Sequence, residues 1–222
     1  MAIVWPCPIS VDAYAAAGRG VVVPRPDCVG CGSAMTFWSG YWRHVRAAGR
    51  CLRVFVPRAR CPGCAATHAL LPGFLLVGRV DVVATVGAVL EQVIDGRGGV
   101  RPAAERAGVP HTTARGWLRR LGAHATRLAV TWAALAVDLG AEPVEVGEDP
   151  RAWALAAMRA AFRAATALPG WLGLGRWRFV CCVSGGGLLA ANTTSPYLVV
   201  GKRRFLPPTP WTEGRDGGRD GP

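Results

Sequence analysis

The chain has 222 residues, 51% of them hydrophobic, with a formal net charge of +12 and a sequence pI of about 10.4. That length suits one large domain or two to three small modules, and the hydrophobic content is ample for real cores. The charge favours a polyanionic partner, and no apolar run reaches the ~20 residues of a membrane span, so a soluble, cytoplasmic protein is expected.

Lys202 is the only lysine, so the basicity is arginine, the better bidentate partner for phosphate and guanine. The charge is also uneven. From Cys28 to Val80 there is no Asp or Glu, yet Arg43, Arg46, Arg50, Arg53, Arg58, Arg60 and Arg79 all fall there. Many of the acids gather instead at Asp138, Glu142, Glu145, Glu148 and Asp149. Met1 to Pro8 lacks a basic n-region and carries Pro6 and Pro8, so no secretory signal is expected. In a reducing compartment eight cysteines suggest metal binding before disulfides.

Residues 1–27 are apolar and punctuated by proline. They predict a helical turn or two over Val11 to Ala17 and a short strand at Val21-Val22-Val23, with no functional reading. Residues 28–75 carry Cys28-Val-Gly-Cys31 and Cys61-Pro-Gly-Cys64. Each Cys-x-x-Cys knuckle offers two sulfurs from one tight turn, and two knuckles close a tetrahedral site of four thiolates around one structural zinc. The intervening segment reads as a hairpin: Met35 to Val45 is rich in aromatics, Leu52, Val54 and Val56 alternate, and Ala47-Ala-Gly-Arg50 makes the turn. The expectation is a zinc ribbon with Cys28, Cys31, Cys61 and Cys64 as ligands. A thioredoxin-like redox pair would need a βαβ context and only one such motif. His68 could substitute as a ligand, but four sulfurs already saturate zinc. Cys7, Cys51, Cys181 and Cys182 read as buried thiols.

Residues 79–121 read as three helices. Arg79 to Asp95 is amphipathic, with Val82, Val83, Val86, Val89, Leu90 and Val93 in one stripe, and Asp95-Gly96 stops it. Val100 to Leu121 then predicts a short helix, a tight turn and a second helix. Ala103, Ala104 and Ala107 form a small-residue face. Gly108 ends the first helix, Val109 plugs the turn and Pro110 restarts the chain as a helix. Thr113, Ala114, Trp117 and Leu118 would bury, leaving His111, Thr112, Arg115, Gly116, Arg119 and Arg120 outward. A helix with hydroxyls and imidazole at its N-terminal end and arginines along one face fits the recognition helix of a helix-turn-helix. A basic helical hairpin in an all-α core is the plainer reading of the same residues.

The apolar rhythm does not stop there. Leu118, Leu121, Ala125, Leu128, Trp132, Leu135 and Leu139 continue it through residues 122–140, with Gly122 arguing for a kink. The stripe would pack, as an antiparallel hairpin, on a helix carrying Trp153, Leu155, Met158 and Phe162 that Asp149 caps and Pro150 opens. A monomer is therefore favoured over a coiled-coil dimer. Residues 148–211 are a helical C-terminal region of unassigned role, with Phe179 to Val183 ambiguous between helix and strand. Ser184-Gly-Gly-Gly187 reads as a turn, because no Gly-Lys-Ser/Thr follows it. Residues 212–222 should be disordered.

With the knuckles and the V-R-P-A-A-E-R-A-G-V-P-H-T-T-A-R-G-W stretch together, the chain resembles uncharacterised actinobacterial proteins of the insertion-sequence type, a domain-of-unknown-function family. These pair an N-terminal zinc ribbon with a helix-turn-helix, and the ribbon resembles the N-terminus of several transposase families. The resemblance covers about Cys28 to Leu121. Taken with the residue patterns above, the expectation is a mainly α protein with a small β zinc ribbon and a helical C-terminal region, binding double-stranded DNA at a specific sequence or a transposon end. An enzyme of the transposase type would need three carboxylates on an RNase H-like sheet. No Asp or Glu lies between Asp149 and Glu213, so no catalytic residue is assigned. Two other readings remain: an accessory subunit or remnant acting beside a separate transposase catalytic chain, and a zinc-ribbon adaptor between proteins.

Overall fold

A computed structural model describes residues 2–168, 171 and 173–190. Among the described residues there are seven α-helices and a small sheet of four strands, ordered β1-β4-β3-β2. The strands are β1 (Ala2–Trp5), β2 (Thr36–Ala47), β3 (Arg50–Arg60) and β4 (Thr67–Pro72).

The β2–β3 hairpin closes through Ala48 and Gly49, at φ 48° and 76°. Two left-handed residues in a row match the right-handed twist of the flanking strands, which is why so short a loop serves. Strand β4 pairs antiparallel to β3, and β1 runs parallel to β4 from Ala2↔Ala69 to Trp5↔Pro72. The N-terminal strand is thus at Ala2–Trp5. The one expected at Val21–Val23 does not form, and nothing pairs with that stretch as a ladder. Helix α1 (Val11–Ala17) is capped by Ser10, whose Oγ accepts from the Ala13 N–H at 3.1 Å. It lays the buried Tyr14 over the sheet, where the phenol donates to the Phe55 carbonyl at 3.0 Å.

Beyond the sheet, residues 80–82 run along the end of β2 before any helix begins. The Arg46 N–H donates to Val80 O at 2.7 Å, and the Val82 N–H donates back to Arg46 O at 3.1 Å. Asp81 is 2% exposed and takes both its oxygens to Arg46, at 2.6 and 3.0 Å. Helix α2 (Val83–Ile94) therefore starts four residues later than the amphipathic pattern predicts, because its expected first turn is engaged by the sheet. Val83, Val86, Val89 and Leu90 bury as the stripe requires. Helices α3 (Val100–Arg106) and α4 (His111–Gly122) pack against α2 and each other.

The single long helix expected from His111 to Leu139 is two helices. Helix α4 ends at Gly122, His124 sits at φ −126° and ψ 7°, and α5 (Ala125–Asp138) restarts. The sequence signal for the break was Gly122. The apolar stripe still buries inside the chain: Leu128, Trp132 and Leu135 of α5 are covered by α6 (Pro150–Ala165), capped by Asp149 as expected. The antiparallel hairpin is corrected, however. A Cβ added at Gly122, the last residue of α4, would stand 3.7 Å from Arg151 Cδ at the start of α6. Leu139, just past the end of α5, shares a groove with Ala160, Arg163 and Ala167. The two helices point the same way, and residues 139–149 return between them as an extended strap, with Ala141 and Val144 packed against the core.

Helix α7 (Arg176–Val183) resolves the ambiguous segment as helix, and its residues Phe179 to Val183 are all buried. Phe179 stands among Trp132, Phe162 and Trp171, with ring centroids 5.1 to 5.9 Å away. The other side of α7 meets the sheet: Cys181 lies 3.3 Å from Leu75 O, and Arg178 donates to the carbonyls of Cys7 and Ile9. One contiguous core runs from Ile3 to Leu189. Among the described residues no helix is long and apolar enough to cross a membrane. The expected tail at 212–222, and residues 191–211 of the C-terminal region, lie outside the described residues.

Candidate metal centre and candidate nucleic-acid interface

The two knuckles flank the open end of the β2–β3 hairpin and share one backbone plan. In the first, the Gly32 N–H donates to Cys28 O and the Cys28 N–H donates to Ser33 O, each at 2.8 Å. In the second, the Cys61 N–H donates to Ala66 O at 2.8 Å. The residue after each second cysteine is left-handed, Gly32 at φ 77° and Ala65 at φ 57°. Glycine reaches that conformation without a Cβ clash, and alanine does so at a cost of about 1–2 kcal/mol. A strained alanine held in this way is consistent with a turn whose sulfurs must point inward.

The Sγ atoms of Cys28, Cys31, Cys61 and Cys64 all lie within 4.8 Å of one another. Cys31 and Cys61 are 3.3 Å apart, and Cys28 and Cys64 3.6 Å. Sulfurs at tetrahedral corners about 2.3 Å from a zinc ion stand about 3.8 Å apart, so the cluster has the size such an ion needs. No pair is bonded as a disulfide. The electrostatics agree. The Ser33 hydroxyl and N–H, with Cys61, lower the Cys31 thiol to about 6. At Cys64 the Ala66 N–H favours the thiolate, but the sulfurs of Cys28, Cys61 and Cys31 outweigh it and raise the group to about 12. Four thiolates crowd together only if a cation neutralises them, and a soft dication is the natural occupant.

His68 takes no part in this cluster. It is a buried side chain of β4, 3% exposed, and burial holds its imidazole below the usual histidine range. Cys7, Cys181 and Cys182 are buried thiols as expected, each pushed up by desolvation. Cys51 is exposed, a correction to the expected burial: it sits next to the β2–β3 turn, beside His44 on the neighbouring strand.

The second candidate surface is α4. The turn before it is made by Gly108 at φ 65°, with the Val109 N–H donating to Ala104 O at 3.0 Å. A Cβ on Gly108 would stand 3.0 Å from the Gly49 Cα, so the α3–α4 turn and the β2–β3 turn are nested together. Pro110 is the residue before the helix rather than its first, and its carbonyl accepts from the N–H groups of Thr113 and Ala114. Ala114, Trp117 and Leu121 bury toward α2 and α3. Thr112, Arg115 and Arg119 are exposed, while His111, Gly116 and Arg120 are half-buried at the same surface. Thr113 and Leu118, expected inside, are also only half-buried.

Sequence reasoning missed two features here. One is that the 78–81 turn faces α4 across a recess of about 320 Å³, lined in part by Arg79, Asp81, Thr112, Gly116, Arg119 and Arg120. The signal was present: the last arginine of the long acid-free run is Arg79, two residues before Asp81. The other is that β2 exposes Phe37, Trp38 and Tyr41, with the Arg58 guanidinium 5.7 Å over the Trp38 ring.

A protein family described as Domain of unknown function (DUF6431) matches residues 28–117, a span running from the first knuckle to the middle of α4. No curated protein and no solved structure matches the chain.

Proposed function

We propose that the chain is a DNA-binding protein without catalytic activity of its own, built on a structural zinc ribbon and a helix-turn-helix whose recognition helix is α4. The observation that carries this reading is the division of α4. One face packs Ala114, Trp117 and Leu121 inward; the other presents Thr112, Arg115 and Arg119 to solvent behind a tight glycine turn. A helix so held can enter a major groove with its N-terminal residues toward base edges, while arginines reach guanine or phosphate. The net charge of +12 supplies the long-range attraction.

The ribbon is the same reading of the four sulfurs, with one zinc held by Cys28, Cys31, Cys61 and Cys64. Zinc there is structural, because four protein ligands leave no open position for a substrate. The lack of any acid between Asp149 and Glu213 supports the absence of a carboxylate-held metal reaction.

The test is fluorescence anisotropy of labelled duplex DNA at several salt concentrations. Binding should weaken steeply as salt rises. At a site selected from random duplex, Arg115→Ala should cost roughly 1–3 kcal/mol if the contact is to a base. Undetectable or salt-independent binding would reject DNA as the partner and favour the adaptor between proteins.

A further inference from the structure

We propose that the recess between the 78–81 turn and α4 seats a phosphodiester of the DNA backbone, gripped by Arg79 and Arg120 beside the hydroxyls of Thr112 and Thr113. This rests on the DNA-binding reading above and adds a contact from outside the three-helix unit.

The recess is built from donors. Arg79, Arg119 and Arg120 line it together with Thr112 and Thr113 in the first turn of α4, a helix of 12 residues. Its one acid, Asp81, is buried and commits both oxygens to Arg46, so it neutralises none of the three guanidiniums. A site of charged donors, free hydroxyls and a helix N-terminus suits a ligand that only accepts hydrogen bonds and carries negative charge.

Arg79 is also held in place before any ligand arrives. The Arg79 Nη2 donates to Leu189 O at 2.7 Å, while its Nε–H is buried without a partner. The backbone beneath it is held from two sides, by the bridge between Val80 and Arg46 and by the Arg43 guanidinium on Arg79 O and Leu76 O. Across the recess, the absence of a Cβ at Gly116 lets Arg120 lie over the helix: a Cβ there would stand 3.0 Å from Arg120 Nη1. Burial first, and then the nearby Arg120 charge, hold Arg79 below the usual guanidinium range. An anion between them would relieve that repulsion. Among anions, a phosphodiester is favoured because the recess opens beside Arg119, on the helix face already assigned to the groove. Backbone contacts of this kind set a protein's register on the duplex and carry no sequence information.

The experiment compares the full chain with Arg79→Gln, Arg120→Gln and Arg115→Ala, using labelled duplex DNA of random and of selected sequence. Each recess variant should weaken binding by the same factor on both duplexes and lower the slope of log affinity against log salt by about 1. Arg115→Ala should act chiefly on the selected sequence. Because Arg79 also anchors Leu189, thermal melts accompany the titrations, and Arg120→Gln decides the matter if Arg79→Gln does not fold. An unchanged slope in the recess variants, with Arg115→Ala still weakened, overturns the phosphate seat and leaves the α4 reading standing. Absence of salt-dependent duplex binding in the wild-type chain overturns both. Inorganic phosphate binding at the recess without duplex binding, or polyglutamate displacing the duplex at equal charge, overturns it in favour of a free anion or an acidic protein segment.

Discussion

Arg46 shows how much of this molecule rests on single side chains that bind one layer to another. Its guanidinium is 27% exposed, and the carboxylate it holds is 2% exposed. Removing one partner of such a pair strands a charge in a poorly hydrated place, at a cost of about 3–5 kcal/mol, whereas removing both costs much less. Arg46→Ala is therefore expected to destabilise the chain by that amount in a denaturant titration, and the Arg46→Ala/Asp81→Ala double variant by clearly less. Equal losses in the two would mean that the pair is not coupled. The variant should also loosen the 78–81 turn and so weaken non-specific DNA binding, if Arg79 acts there. None of this was legible in the chain. Arg46 reads as one arginine of seven in an acid-free run, and Asp81 as an acid within an expected helix. What joins them is the pairing of residues 80–82 with β2, a non-local contact that periodicity does not encode.

Local chemistry was legible at the level of elements, and their directions were not. The knuckles, the hairpin turn at Ala47-Ala-Gly-Arg50, the Asp149 cap and the glycine turn at 108 all depend on residues next to each other, and each appears where its chemistry places it. The stripe from Leu118 to Leu139 identified what buries, but a stripe carries no information about the direction of its partner. Residues 139–149 could serve as a wide loop or as a return strap. The strap forms because Ala141 and Val144 pack against the core alongside α6, while the C-terminal end of α2 ties α6 down through Asp95 and Arg159 at 2.6 Å. A consequence is testable. Leu128 is 1% exposed, and Trp132 and Leu135 of the same stripe are likewise covered within the chain, so that stripe is not left for a second copy. Leu128→Asp should destabilise the fold by more than about 3 kcal/mol, as expected for an unpaired buried charge, and the wild-type chain should scatter light as a monomer. A folded wild-type dimer that the substitution splits into stable monomers would contradict this.

At the scale of the whole molecule, the modules expected from the sequence are not separable. The four-cysteine hairpin and the α2–α4 unit share the nested turns of Gly49 and Gly108, and α7 packs against both the sheet and α2, where the Trp177 indole lies on Gly87. A metal that fixes the base of the hairpin should therefore hold more than the hairpin. Protein purified without chelator should contain about one zinc per chain, and Cys28→Ser/Cys61→Ser should abolish it and lower the melting temperature of the entire fold, since structural zinc contributes folding energy outright. Metal content unchanged in that variant would exclude the site.

The same continuity governs how the chain can be divided. The matched family spans residues 28–117, and the recognisable motifs end at Leu121, so a fragment of residues 28–121 looks from the sequence like a self-sufficient DNA-binding unit. Such a fragment would lose β1, the parallel partner of β4; Tyr14, which packs edge-on against Phe74 with ring centroids 5.2 Å apart; and α7, which covers Leu75 and Gly73. Leu70, Leu71, Phe74, Leu75 and Leu76 are each 3% exposed or less in the full chain, and several would be uncovered together. Each large side chain returned to water forfeits about 1.5–3 kcal/mol, and a few such losses exceed the ~5–15 kcal/mol by which a domain is usually stable. The fragment is accordingly expected to bind zinc yet melt without a cooperative transition, or to aggregate. The full chain should unfold in one step, with far-ultraviolet dichroism and tryptophan fluorescence tracing the same curve. A fragment with a sharp melt and duplex affinity equal to the full chain's would show instead that the N-terminal strand and α7 only decorate an independent module, and that the knuckles and α2–α4 fold without them.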